Sequence, residues 1–169
     1  MMWRFFGAIL LAAATPVAAL EAASAALEAA SAALDNGLAA YAAGDYPAAR
    51  AQLRPLADRG SAIAETMLGV MAAKGQGRAS DPAVAVGWWL RAANRGYAPA
   101  QLALAKALAS GRGVAADRGQ AWVWARLAAR TGDAGAVAAT ALAQELARRL
   151  SAADLAKLEI ERAAWRPWG

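Results

Sequence analysis

The sequence predicts an all-α fold built from repeated helix pairs. Three observations support this class: an internal period of 36 residues, capping residues at fixed places within that period, and the lack of any segment that alternates like a strand. Gly60, Gly96 and Gly132 mark the period, and each precedes a similar alanine-containing segment. A period of this length is typical of one antiparallel helix pair per unit, stacked on the next.

Residues of several chemical types recur at this offset, which composition alone does not produce. The matched pairs are Leu68 and Leu104, Gly75 and Gly111, Gly77 and Gly113, Asp81 and Asp117, Ala85 and Ala121, and Trp88 and Trp124. A partial earlier copy begins at Asp45, and a divergent copy follows Gly132. Because one unit cannot bury its own apolar face, we expect an α/α solenoid.

Capping residues set the expected helix bounds. Asp45, Asp81 and Asp117 can each accept a hydrogen bond from an amide at a helix start, and the three glycines of the period suit the left-handed conformation just past a helix end. The Gly-x-Gly segments 75–77 and 111–113 are expected to be turns within a unit rather than phosphate-binding loops. The predicted helices cover residues 46–59, 61–74, 82–95, 97–110, 118–131, 133–149 and 152–165.

The first 19 residues have the order of a secretory signal peptide. Arg4 precedes an apolar run, and small residues lead up to Ala19. The apolar run is shorter than the ~20 residues that a bilayer-spanning helix needs. We therefore expect cleavage near Ala19 and a periplasmic or secreted protein without a stable membrane span, with an uncleaved anchor as the alternative.

Residues 20–43 are predicted to form an alanine-rich lead-in helix. Leu20, Leu27 and Leu34 are spaced by heptads, and alanine is the best helix former. The seam is one leucine wide, so a dimerisation helix is the alternative. Residues 44–169 are predicted to form the repeat array, which ends in a C-terminal capping helix.

Composition excludes several function classes. The chain has no histidine and no cysteine, which removes the commonest nucleophiles, proton shuttles and metal ligands. We expect no catalytic activity, no metal site and no cofactor. Without Arg4 the chain has 17 basic and 13 acidic residues, a net charge of +4. The basic residues are dispersed, so we expect no nucleic-acid partner.

The tryptophans separate into two groups. Trp88 and Trp124 recur in register, and we expect both in the core, because burying such a ring removes about 150–250 Å² from water. The other four beyond the signal segment do not recur in register and are expected at the surface or in the cap: Trp89, Trp122, Trp165 and Trp168.

In order along a unit, the recurring elements are an alanine pair, a leucine, the Gly-x-Gly segment, the aspartate, an alanine, a tryptophan and a second alanine pair. This pattern resembles the Sel-one-like repeat, a relative of the tetratricopeptide repeat, over about residues 38–169. The sequence departs from the pattern at Ala105, where the preceding unit has Gly69, and at residues 137–149, which lack the glycine segment. The resemblance implies a right-handed superhelix of antiparallel helix pairs and a role in protein–protein contact.

In tetratricopeptide-type arrays the first helix of each unit lines the concave side. On that basis we predict a partner-binding strip that includes Met67, Val70, Lys74 and Lys106. Ile63 extends the strip in the first unit, and its counterpart in the next unit contains Pro99, Ala103 and Ser110. Ordinary packing between repeats remains the alternative for these residues.

Arg59 and Arg95 recur in register beside the glycine caps, and we expect them to contact helix C-terminal carbonyls.

Together these features predict an exported, non-catalytic repeat protein that binds another envelope protein or a peptide as scaffold, adaptor or regulator. The net basic charge and the surplus of aromatic residues motivate an alternative, a binder of anionic cell-wall or exopolysaccharide material.

Overall fold

The computed structural model of the protein describes residues 16–132 and 134–168. Most of the predicted signal segment therefore lies outside the described residues. The chain divides into two compact units between Ala32 and Ala33. No strand occurs in the part of the chain that the structure describes, and the predicted all-α class is confirmed.

Eight α-helices and one short 3-10 helix account for most of the described residues. Their bounds are α1 Pro16–Ala42, α2 Tyr46–Asp58, α3 Ala62–Lys74, α4 Pro82–Asn94, α5 Ala98–Ser110, α6 Arg118–Ala128, the 3-10 helix Ala129–Thr131, α7 Ala134–Ala147 and α8 Ala152–Ala164. These bounds lie close to the predicted helices, with the largest shift at the end of α6, where the last turn tightens into the 3-10 helix.

α1 contains the predicted lead-in segment. Within the described chain it is the helix that has the length and apolar composition to cross a membrane, a test that signal sequences near an N-terminus also pass. In the first compact unit, Leu20 and Leu27 are 72% and 73% exposed. The division into signal, lead-in helix and array at residues 1–19, 20–43 and 44–169 stays a prediction.

The helix caps follow the sequence pattern. Asp45, Asp81 and Asp117 each accept a hydrogen bond from the amide of the third residue that follows, at 3.0, 3.0 and 2.9 Å. The three glycines of the period lie just past helix ends with φ between 73° and 89°. Capping by short polar side chains and left-handed glycines therefore sets where most helices begin and end.

Consecutive helices in the second compact unit pack against each other from α2 to α7, as in a repeat array. α8 departs from this order and packs against α6. Trp165 at the end of α8 meets the ring of Trp124 in α6 edge to face, with centroids 6.0 Å apart. The predicted α/α solenoid is confirmed, and its C-terminal helix covers α6.

The Gly-x-Gly turns bring neighbouring repeats together. Gly77 lies against Tyr46 at the start of α2, and Gly113 lies against Pro82 at the start of α4. Both glycines have positive φ, 76° and 80°. Tyr46 and Pro82 are themselves one period apart, so the same contact recurs between successive units.

Two tryptophan predictions are wrong. Trp124 is in the core as expected, but Trp88 at the equivalent position is only half-buried, because α8 covers α6 and has no counterpart packed over α4 in the described chain. Trp122, expected at the surface, is 7% exposed and belongs to the core. Its equivalent one period earlier is Val86, which packs against the same core, and this apolar match was the signal for burial.

The replacement of glycine by alanine at position 105 has a packing explanation. The ring of Trp89 lies directly over Gly69, where an added Cβ would meet Trp89 Cδ1 at 2.6 Å. The equivalent pair in the next repeat is Ala105 and Ala125, both fully buried. The Trp89 ring therefore requires glycine beneath it, whereas the second repeat, which has Ala125 in place of that ring, has room for a Cβ at position 105.

This packing predicts opposite effects for two glycine-to-alanine changes. Gly69→Ala should lower the free energy of unfolding by about 1–3 kcal/mol, because the methyl group has no room beneath Trp89. Gly87→Ala, in the exposed interior of α4 with no neighbouring atom within 4 Å, should raise it by about 0.4–1 kcal/mol. Urea unfolding followed by circular dichroism measures both, and equal effects from the two changes would contradict the assignment.

Candidate functional site

A groove of about 610 Å³ lies along α3, α5 and α7, the first helices of their repeats. Its volume is within the range of about 300–1,000 Å³ that is typical of ligand sites. Most of its lining is small or apolar, and the floor includes Val70, Ala73, Ala98, Pro99, Leu102, Ala103, Ala107 and Gly135. The side chain of Trp89 closes it from α4.

The two ends of the groove differ in charge. Ala98 and Pro99 lie at the start of α5, so that end of the groove is apolar. Lys74 is the last residue of α3, Lys106 lies near the end of α5, and Arg112 follows α5, so the other end is cationic. No carboxylate is among the lining residues that the structure describes.

The structure brings together most of the predicted strip. Val70, Lys74 and Lys106 line the groove, together with Pro99, Ala103 and Ser110. Met67, which the sequence prediction included, and Ile63 beside it are not among the lining residues. α5 therefore contributes along its whole length, whereas α3 contributes its C-terminal half.

Residues 62–97 and 98–133 each match the family profile described as the Sel1 repeat. The chain contains two Sel1 repeats. The predicted resemblance is thus confirmed over α3 to α6, the helices that carry most of the groove. A comparison with curated protein sequences gave no significant match.

Two solved structures are similar to this chain. One is c5321, a protective antigen present in uropathogenic Escherichia coli strains with an SLR fold; it is 24% identical, with a TM-score of 0.72, over 86% of this chain and 32% of its own. The other is a Sel1 repeat protein from Oxalobacter formigenes, 29% identical with a TM-score of 0.58, over 61% of this chain and 42% of its own. The chain thus spans less than half the length of either, and these likenesses support the fold.

The first Sel1 repeat contains a buried charge that the sequence analysis did not single out. Glu65 in α3 is 0% exposed, with Arg91 Nη2 2.9 Å from Oε1 and Arg95 Nε 3.6 Å from Oε2. Within the described chain neither carboxylate oxygen receives a well-aligned hydrogen bond. Burial therefore raises the pKa of Glu65, although both arginines act in the opposite direction.

One of these two arginines also contacts the end of the preceding helix. Arg91 Nη2 donates a hydrogen bond to Ala57 O in the last turn of α2, at 3.0 Å. The carbonyl contact that the sequence predicts for Arg95 is made by Arg91, and Arg95 faces the carboxylate of Glu65 instead.

In the second Sel1 repeat a single residue donates the equivalent hydrogen bond to the end of the preceding helix. Gln101, one period after Glu65, donates from Nε2 to Ala93 O at 3.2 Å, and Ala93 is one period after Ala57. Leu127 occupies the position equivalent to Arg91. An amide in one repeat thus replaces a carboxylate and a guanidinium in the other, and we assign the Glu65 cluster a structural role.

Trp88, half-buried on α4 of the first Sel1 repeat, is a second surface to compare with the groove. The guanidinium carbons of Arg54 and Arg91 lie 5.4 and 4.8 Å from its ring centroid. Arg54 also pairs with Asp58 at 3.0 Å, and Arg91 pairs with Glu65. Because cations already occupy the ring and are themselves paired, this surface is a poorer site for an anionic ligand than the groove.

The equivalence of Glu65 and Gln101 predicts that exchanging the two residue types changes the free energy of unfolding unequally in the two repeats. Glu65→Gln should change the free energy of unfolding by no more than about 1 kcal/mol, because the new amide can donate to Ala57 O and both arginines can reach water. Gln101→Glu should lower it by about 3–5 kcal/mol, because a buried carboxylate would face a carbonyl without an arginine partner. Denaturant unfolding of both variants is the measurement, and equal losses would contradict the equivalence.

Glu65 also predicts a pH dependence with a definite sign. Its pKa is raised in the folded state, so the folded protein binds this proton more tightly than the unfolded chain does. The stability of the wild type relative to Glu65→Gln should therefore increase as the pH falls through the raised pKa of folded Glu65, and should level off below the ordinary glutamate pKa of about 4. Unfolding curves for the two proteins across this range test it; a relative stability that falls with pH would contradict the sign.

Proposed function

We propose that this protein is an exported, non-catalytic scaffold or adaptor that binds a peptide segment of another cell-envelope protein in the groove of α3, α5 and α7. The observation that carries the proposal is the groove itself, with an apolar floor and three cations at one end. Such a surface can bury apolar side chains and select carboxylates.

The family supports the general part of this function. Sel1 repeats form helical scaffolds for protein interaction, and two of them supply α3 to α6 of the groove. Export is supported by the order of residues in the first 19 positions and by the apolar composition of α1.

Small side chains explain why the groove is open. Seven of the fifteen lining residues are alanine, glycine or serine, and these small residues leave the space above their helices unfilled. Their side chains also lose little conformational entropy when a ligand binds, which favours recognition by a preformed surface.

Site-specific photocrosslinking in the native envelope tests the proposed function. A photoreactive residue at Ala103 or Ser110, in the groove, should crosslink a distinct protein that mass spectrometry can identify. The same residue at Leu90 or Ile160, which are exposed on α4 and α8 and outside the groove, should not crosslink it. Equal crosslinking from both pairs of positions would remove the groove from the proposal.

Binding measurements with the purified partner then distinguish a peptide ligand from an anionic polymer. Lys74→Glu with Lys106→Glu should weaken binding of a peptide segment about tenfold, equivalent to about 1.4 kcal/mol, because two partly exposed ion pairs become repulsive. An envelope polysaccharide held by charge alone would lose affinity much more steeply with added salt than a peptide held on the apolar floor. Groove crosslinks to polysaccharide with no protein product would favour the alternative function.

A further inference from the structure

The lead segment of α1, residues 20–31, has two ridges of exposed side chains in the first compact unit. Leu20 and Leu27 form an apolar ridge, 72% and 73% exposed. Glu21 and Glu28, each one residue further on, are also exposed. There is no basic residue between Arg4 and Arg50, so the charge of this segment is entirely negative.

Helical geometry sets the spacing of these ridges. Residues seven apart return to the same side of an α-helix after about 10.5 Å, and consecutive residues differ by about 100°. The leucine ridge and the glutamate ridge therefore run side by side along the segment. This gives one apolar edge and one anionic edge, each with a repeat of about 10.5 Å.

The groove in the second compact unit has the complementary arrangement. Its apolar end lies at the start of α5, and its cationic end carries Lys74 from α3 and Lys106 from α5. Lys74 and Lys106 thus project from two different helices at the same end of the groove, as the two glutamates project about two turns apart along one edge of the lead segment.

We propose that the groove of one copy of this protein binds the lead segment of a second copy, which lies across α3 and α5. In this arrangement the leucine ridge covers the apolar end of the groove, and the two glutamates face Lys74 and Lys106. The proposal rests on the proposed function, because it uses the same groove and names an occupant for it. Reciprocal binding closes a dimer, and one-way binding produces a chain of copies.

Two features favour a groove filled by the lead segment over a groove filled by water. Exposed leucines on an otherwise alanine-rich helix are an apolar surface that no described residue of their own unit covers. The lysines of the groove form no ion pair with a carboxylate of the described residues. Docking the segment satisfies both surfaces at once, and opposite charges at the rim fix its register.

Charge reversal with rescue tests the proposal on the full exported chain. Sedimentation velocity at low salt should show concentration-dependent association of the wild type. Glu21→Lys with Glu28→Lys, and separately Lys74→Glu with Lys106→Glu, should each weaken association at least about tenfold. An equimolar mixture of the two variants should restore it, because each groove again meets a segment of opposite charge.

A matched control separates this contact from a general effect of net charge. Arg148→Glu with Lys157→Glu makes the same change in charge at exposed positions outside the groove, and it should leave association unchanged. A wild type that stays monomeric at about 100 µM, where a Kd of that order would show, overturns the proposal. The proposal is also overturned if the mixture of variants fails to associate, or if the mature chain begins after Glu28.

The experiments distinguish failure of self-recognition from failure of the proposed adaptor function. If the wild type is monomeric but groove crosslinks to another protein are lost in the lysine variant, the proposed function stands and self-recognition is wrong. If the mixed variants associate but no foreign protein crosslinks to the groove, self-recognition stands and the adaptor function is wrong.

Discussion

Close approach of helices at small residues is the constraint on which the rest of this structure depends. Alanines at equivalent places in successive units, such as Ala49, Ala85 and Ala121, are fully buried. An alanine contributes little apolar area, so stability requires that many such contacts be made together in one register. The 36-residue period maintains that register, and a larger side chain at any contact needs a matching reduction nearby.

The differences between the two Sel1 repeats show how this constraint is met. Trp89 is tolerated over Gly69, whereas the next repeat has alanine at both equivalent positions. Glu65 with Arg91 gives way to Gln101 with Leu127, and the carbonyl at the end of the preceding helix receives a hydrogen bond in both cases. Changes therefore occur in spatial pairs: glycine leaves room for the Trp89 ring in one pair, and the carbonyl keeps a hydrogen-bond donor in the other.

Local chemistry made the helix bounds predictable, whereas burial depended on which helix covers which. Asp45 and its equivalents act as caps through contacts within one turn, so their sequence is sufficient. Trp88 and Trp124 are alike in sequence, but only Trp124 is covered by α8, and that long-range contact has no local signal. The resemblance to tetratricopeptide-type arrays correctly predicted that Val70, Lys74 and Lys106 lie on first helices that face one groove. Excluding Met67 required knowing that only the C-terminal half of α3 lines that groove.

The same small residues explain how a structural repeat can also provide a binding surface. Between consecutive helices the alanines are covered on all sides, as at Ala100 and Ala105. On the groove side of α5, Ala103 and Lys106 line the groove instead of a helix contact. Packing within a unit requires one face of α5 to be alanine-rich, but it places no such demand on the groove face. That face is free to vary in charge and size, so specificity can change there without disturbing the contacts that hold the array together.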